Sequence, residues 1–224
     1  MEDVAVNGRT VLFVSHNMGM ITSLCQRTIL LEAGQVIADG KSSDTVLAYY
    51  NRGRLSPHAA DFSRQGRKVG DHLATLLEAS IEDAEGNPTS EVDIRSPFKV
   101  KMRYTLHEEV PIAPYANFHF FDERGEYVFV TNSNSSNNIG TKPGTYVAEC
   151  NVPGSLLNNG TYFIGLALTF THQGIHVSFY EKDALAVNVN DPIDETLESM
   201  RNGYSGAIPG PIRPQLDWVI KKVA

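Results

Sequence analysis

Phe98-Lys-Val-Lys-Met-Arg-Tyr-Thr-Leu-His107 sets Phe98, Val100, Met102, Tyr104 and Leu106 against Lys99, Lys101, Arg103, Thr105 and His107. That strict alternation puts every apolar side chain on one face of a strand and every polar one on the other. Similar runs flank it on both sides. Ala74 to Glu82 ends at the turn Asp83-Ala-Glu-Gly-Asn-Pro88, and Tyr115 to Phe121 ends at Asp122-Glu-Arg-Gly125, with Tyr127 to Thr131 returning. Val147 to Val152, Gly160 to Thr171, Ile175 to Tyr180 and Ala184 to Asn190 follow, each bounded by Gly, Pro or Asn. About eight short strands with little helical periodicity predict an antiparallel β-sandwich, of immunoglobulin-like or jelly-roll type. Its predicted core is Phe98, Val100, Met102, Tyr104, Phe118, Phe120, Tyr162, Ile164, Leu166 and Leu168. After Pro209, Pro211 and Pro214, the run Leu216-Asp-Trp-Val-Ile220 predicts a last strand holding the only tryptophan. Such a strand closes its own sandwich or pairs with a second subunit.

Composition narrows the function classes. The chain has 224 residues, 42% of them apolar, which suffices for one good domain plus a smaller piece. No apolar run approaches the roughly 20 residues that span a bilayer. Glu2 and Asp3 stand where a signal peptide would be basic. Residues 1–60 carry five basic and five acidic side chains, so the net charge of −7 lies wholly in the remainder. That acidity argues against a nucleic-acid partner. Cys25 and Cys150 are isolated and read as small apolar residues rather than as a disulfide or metal pair. His107, His119, His172 and His176 are scattered, and Gly174 breaks the only close spacing, so no metal site is expected. The chain carries neither a Gly-x-Ser-x-Gly elbow nor a His-Glu-x-x-His helix. A carboxylate pair such as Glu149 and Asp183 has nothing to raise it above chance.

The N-terminal part has a different character. In Gly8-Arg-Thr-Val-Leu-Phe-Val-Ser-His-Asn-Met18 a β-branched strand, Thr10 to Val14, ends on polar Ser15-His16-Asn17 and opens a helical pattern from Met18 to Gln26. Ile29-Leu-Leu-Glu-Ala-Gly-Gln-Val-Ile37 is a hairpin turning at Gly34, and Asp44 to Asn51 reads as a closing helix capped by Ser42, Ser43 or Asp44. Residues 52–72 are basic, Gly/Ser-containing and aperiodic, as a linker would be. The expected division is therefore 1–51, a linker at 52–72, and a sandwich at 73–224.

Strand, exposed histidine, helix and hairpin over residues 6–50 resemble the last part of an ABC-transporter ATPase domain. The resemblance makes Ser15-His16 the switch loop, with His16 facing the γ-phosphate of ATP in the complete protein. A Gly-rich phosphate loop ending Gly-Lys-Ser/Thr is absent from the sequence, as are a Leu-Ser-Gly-Gly run and an apolar strand ending Asp-Glu. ATP and Mg would therefore be cofactors of the complete parent only. The chain is expected to be no enzyme, to bind no cofactor, and to be the C-terminal portion of a longer subunit. With the Asp-Ala-Glu-Gly turn and Arg213-Pro-Gln-Leu-Asp-Trp218, the whole is similar to the ATP-binding subunit of bacterial polysaccharide exporters of the Wzt type. The implied fold is mainly β: an immunoglobulin-like antiparallel sandwich preceded by a small α/β remnant of an ABC ATPase domain. The implied function is recognition of exported O-antigen polysaccharide in the cytoplasm, at the inner membrane, beside a transmembrane permease subunit. A homodimer, built through the C-terminal strand, is the further partner expected. The alternative is a dimerisation or regulatory domain that binds no sugar.

Carbohydrate is held by aromatic faces over its C–H surfaces and by Asn, His and hydroxyl groups at its own hydroxyls. If Phe118 and Phe120 point inward, period two sends Asn117 and His119 outward. If Ile175, Val177 and Phe179 point inward, His176, Ser178 and Tyr180 face out. Tyr127, Phe129 and Thr131 form a third row. A one-residue slip would reverse any of these assignments.

Overall fold

A computed structural model describes residues 11–14, 21–22, 24–32, 34–51, 58–63, 68–133, 140–172, 174–192, 204, 206 and 208–222. His16 lies outside the described residues, as do most of the helical pattern that follows it and residues 193–203.

The expected hairpin is β1 (Arg27–Glu32) and β2 (Gln35–Lys41), and the closing helix is α1 (Ser42–Asn51). Ser42 spends its hydroxyl on the Cys25 carbonyl and Thr28, and the Thr45 hydroxyl donates to the Thr28 carbonyl, which ties the start of α1 to the hairpin. Residues 11–14 do not form the expected strand, and Leu12 and Val14 are exposed. A parallel strand is stable only between neighbours, and none of the described residues pairs with this segment.

Ten strands build the sandwich. One sheet has the order β10 (Gly144–Val152), β7 (Phe98–Leu106), β5 (Ala74–Glu82), β3 (Ala59–Asp61), with β4 (Val69–Gly70) also paired to β5. The other has the order β6 (Glu91–Asp93), β12 (His176–Asn190), β11 (Gly160–Phe170), β8 (Tyr115–Phe121), β9 (Tyr127–Asn132). All pairings are antiparallel except β6 with β12. β3 and β4 lie inside the stretch expected as linker. Ala60 and Val69 are apolar enough to bury against β5, although neither sits in a periodic run long enough to read as a strand. Two runs expected separately, Ile175 to Tyr180 and Ala184 to Asn190, are one strand, β12, interrupted by an irregularity rather than a turn.

All ten predicted core residues are buried between the sheets. β7 alternates as read, and β11 is buried on both faces from Tyr162 to Leu168. The inner face of β11 meets the common core. Part of its outer face is covered by the N-terminal segment, because Phe121, Phe163 and Ala186 cluster with Ile21 and Val46, and Phe13 packs against them.

The run Leu216 to Ile220 is not a strand. Chain order is held as far as Arg213: Asn158 donates to the Ile208 and Gly210 carbonyls, the Tyr162 hydroxyl donates to the Pro211 carbonyl at 2.7 Å, and half-buried Arg213 pairs with buried Asp191. Beyond it, Leu216, Trp218, Val219 and Ile220 are exposed. No helix among the described residues is long and apolar enough to cross a membrane.

Candidate functional site

The outer face of the second sheet carries an aromatic group assembled from three strands. β8 presents Asn117, His119 and Phe121, since Ala116, Phe118 and Phe120 take the core. β9 places Tyr127 opposite Phe121, and β12 places Tyr180 opposite Ala167. The His119 ring lies 4.9 Å from Tyr180, 6.0 Å from Tyr127 and 6.5 Å from Phe121 between centroids. Phe121 and Tyr127 are 4.5 Å apart, and the Tyr127 and Tyr180 hydroxyls meet at 3.3 Å.

Small residues on the intervening strand make this convergence possible. Gly165 stands directly opposite His119 and Ala167 opposite Asn117, so no bulky side chain of β11 rises between β8 and β12. Gly165 is required for a second reason. A Cβ there would lie 2.6 Å from the Lys182 carbonyl oxygen, where β12 bulges over β11. Lys182 itself reaches over the Phe121 ring, at 5.0 Å.

The polar groups of the patch are only partly committed. Asn117 donates to the Tyr115 carbonyl and to Thr169, which leaves its side-chain oxygen able to accept. Nδ1 of His119 is buried without a protein partner, and burial pushes the pKa of this imidazole down, favouring the neutral ring. Burial also raises the Tyr180 phenol, helped by the Tyr127 hydroxyl beside it. Beside the Lys182 ammonium, the patch therefore offers neutral donors and acceptors between exposed ring faces. Tyr127 is 59% exposed and Tyr180 43%.

Three sequence-predicted residues fall elsewhere. Phe129 faces inward, stacked on Phe120 at 4.4 Å and packed on the core. The pairing slips between Phe120 and Phe121, so Val128 is extra and Tyr127 and Phe129 come to lie on opposite faces despite their spacing of two. Ser178 is buried, 7% exposed, in a second slip where Thr169 pairs Val177 and Leu168 pairs Phe179. The same slip leaves Ile175 and Val177 exposed instead of inward. His176 is exposed but engaged: its Nε2 lies 2.6 Å from Asp71 Oδ2, while the Ser178 hydroxyl donates to Asp71 Oδ1 at 2.7 Å.

Asp71 sits just after Gly70, whose φ of +136° and lack of a Cβ let the chain fold back within reach of the Ala74 carbonyl. Burial alone would raise the Asp71 carboxyl. Hydrogen bonds from Ser178, His176 and the Ala74 and Leu73 amides outweigh it and hold the group at about 2. The trio ties the β4–β5 turn of one sheet to β12 of the other. Serine–histidine–carboxylate chemistry needs histidine between serine and acid, to take the hydroxyl proton. Here the carboxylate lies in the middle, so the hydroxyl bonds the carboxylate and not the imidazole. Likewise Glu149 bonds Lys101 on the first sheet, whereas Asp183 belongs to the second. No group of three potential metal ligands exists among the described residues, and both cysteines are free.

Two members of the patch were not read from the sequence. Phe121 had a signal, since Phe120-Phe121 at the end of an alternating strand must send one ring to each face. Lys182 had none, because its position depends on the bulge.

Residues 65–202 match the family model of the Wzt C-terminal domain. The chain belongs to that family. A solved structure, the crystal structure of the C-terminal domain of wzt, is similar to it with a TM-score of 0.54 at 13% identity, covering 78% of this chain and 95% of that one. At such identity the likeness speaks for the fold. No curated protein sequence matches the chain closely enough to count as a relative. Membership in the Wzt C-terminal family bears out the resemblance to the C-terminal portion of a Wzt-type ABC transporter subunit and the mainly β sandwich fold. It also agrees with a non-catalytic role, since this domain is not the ATPase part of such a subunit.

Proposed function

We propose that the outer face of the second sheet binds the exported polysaccharide, an O-antigen chain, through Tyr127, Tyr180, His119 and Asn117. The observation that carries this is the convergence of two exposed tyrosines and the His119 imidazole over a glycine–alanine floor. Exposed rings cover sugar C–H faces, and the Asn117 oxygen, the imidazole and the tyrosine hydroxyls match sugar hydroxyls without the cost of burying a charge. Phe129, Ser178 and His176 take no direct part. In the complete subunit the module works in the cytoplasm, at the inner membrane beside the permease, and ATP and Mg act at the ATPase domain to which His16 belongs.

Titration of the chain with purified O-polysaccharide from the organism that encodes it tests the proposal. Saturable amide shifts should centre on β8, β9 and the middle of β12. Tyr127→Ala and Tyr180→Ala should each weaken binding about two- to tenfold, the worth of one aromatic contact. Absence of any shift at millimolar repeat-unit concentration would overturn it.

One observation favours the second role, an organising domain. Leu216, Trp218, Val219 and Ile220 are 67–94% exposed on a segment fixed at its root by Arg213. Pairing of this segment with a second copy would cover them, as in a homodimer joined through its C-terminal strands. Sedimentation of the chain and of a version ending at Pro214 separates the two: loss of the dimer on truncation supports the pairing, and an unchanged monomer refutes it.

A further inference from the structure

The aromatic patch and the N-terminal segment share a residue. Phe121 is 1% exposed: its ring meets Tyr127 at 4.5 Å and His119 at 6.5 Å, and it also clusters with Ile21, Val46, Phe163 and Ala186. A second contact reaches the same hairpin, where the Thr22 hydroxyl donates to the Glu123 carbonyl at 3.1 Å. Glu123 lies in the turn from β8 to β9, the turn that delivers Tyr127, and its carboxylate accepts from the Thr161 amide on β11. Among the described residues β9 is an edge strand, paired with β8 alone.

We propose that docking of the N-terminal segment through Ile21, Val46 and Thr22 sets the geometry of the patch, and that patch and segment are coupled through Phe121 and the β8–β9 turn. Undocking exposes Phe121 and Phe163 to water, and the rings are then free to repack against Tyr127 and His119. It also releases the turn that holds an edge strand by one ladder. Both changes move Tyr127 relative to His119 and Tyr180. If the patch binds polysaccharide, as proposed above, coupling is reciprocal: a ligand that requires the ordered patch also favours the docked segment. Sugar occupancy would thus be felt by the part of the chain that resembles the end of an ATPase domain, over a distance of one side chain.

The test uses the full chain, with ring signals of His119 and Tyr127 followed by NMR. Val46→Asp should shift both sets of signals and speed amide exchange in β9, while the core signals of β7 stay in place. Ile29→Asp puts the same charge on an exposed position of the hairpin and should leave the patch unmoved. Thr22→Val removes the hydroxyl that donates to Glu123 and should give a smaller shift in the same direction, which keeps the test available if Val46→Asp perturbs folding. Against the O-polysaccharide probe, Val46→Asp should weaken binding at least about fivefold, the lower end of ordinary coupling between sites. Unmoved His119 and Tyr127 signals in the undocked variant, or equal affinities, would overturn the coupling. Shifted ring signals without polysaccharide binding by any variant would support the coupling and overturn the sugar-binding assignment.

Discussion

Replacing Asp71 with Asn tests whether the two sheets are tied at the β4–β5 turn as the geometry implies. The folded carboxyl is held at about 2, against an ordinary 3.8, by four donors. A lowered folded value means that the unfolded chain takes up the proton first as pH falls. The stabilisation is therefore complete above the unfolded value and is lost as pH drops through 4 towards 2. The full shift corresponds to about 2.5 kcal/mol. Asp71 keeps a quarter of its side-chain surface in water, and screening trims this to about 1–2 kcal/mol. Asp71→Asn should thus destabilise the chain by about 1–2 kcal/mol at pH 7, a fall of some 3–6 °C in melting temperature. About half of that difference should be gone by pH 3, where the wild-type group is itself partly protonated in the unfolded chain. Urea unfolding of both proteins at pH 7, 4 and 3 measures it, and the wild-type-minus-variant difference cancels every other carboxylate. A difference that is the same at pH 7 and pH 3 would mean that the ionised group contributes nothing, and the tie would be refuted.

Three further outcomes follow from packing. Gly165→Ala forces a Cβ to 2.6 Å from the Lys182 carbonyl and should cost about 1–3 kcal/mol of unfolding free energy, with amide shifts confined to the β11–β12 bulge. Arg213→Met leaves the Asp191 carboxylate, 2% exposed, without its cation and should cost about 3–5 kcal/mol, read as a lower urea midpoint at unchanged slope. Phe129→Ala should cost about 3 kcal/mol through the lost stack on buried Phe120, whereas Tyr127→Ala, on the opposite face and 59% exposed, should cost less, about 0.5–1.5 kcal/mol for its contact with Phe121. The reverse ranking would show that β9 is read in the wrong register.

The architecture was legible because its signals are local. Five apolar side chains in strict alternation along β7, and turn chemistry at Asp83–Pro88 and Asp122–Gly125, each act within one strand or one hairpin. So was the half of the site carried by β8, where Phe118 and Phe120 fix Asn117 and His119 outward without help from any neighbour. Within the sandwich, the facing assignments that failed lie at β-bulges. One extra residue in β9 sends Phe129 to the core and keeps Tyr127 outside, and one in β12 buries Ser178 while exposing Val177. A bulge is a relation between two strands, decided by which of several apolar residues packs best on the partner, so it leaves no mark on the period of either. The first of these slips nevertheless helps to build the patch. Without it, Tyr127 would not stand opposite Phe121, whereas Tyr180 faces out by simple alternation with buried Phe179, which pairs with Leu168. Alternation along single strands thus places Asn117, His119 and Tyr180 on the candidate face, and what it cannot give is the bulge that separates Tyr127 from Phe129 and the one that carries Lys182 over Phe121.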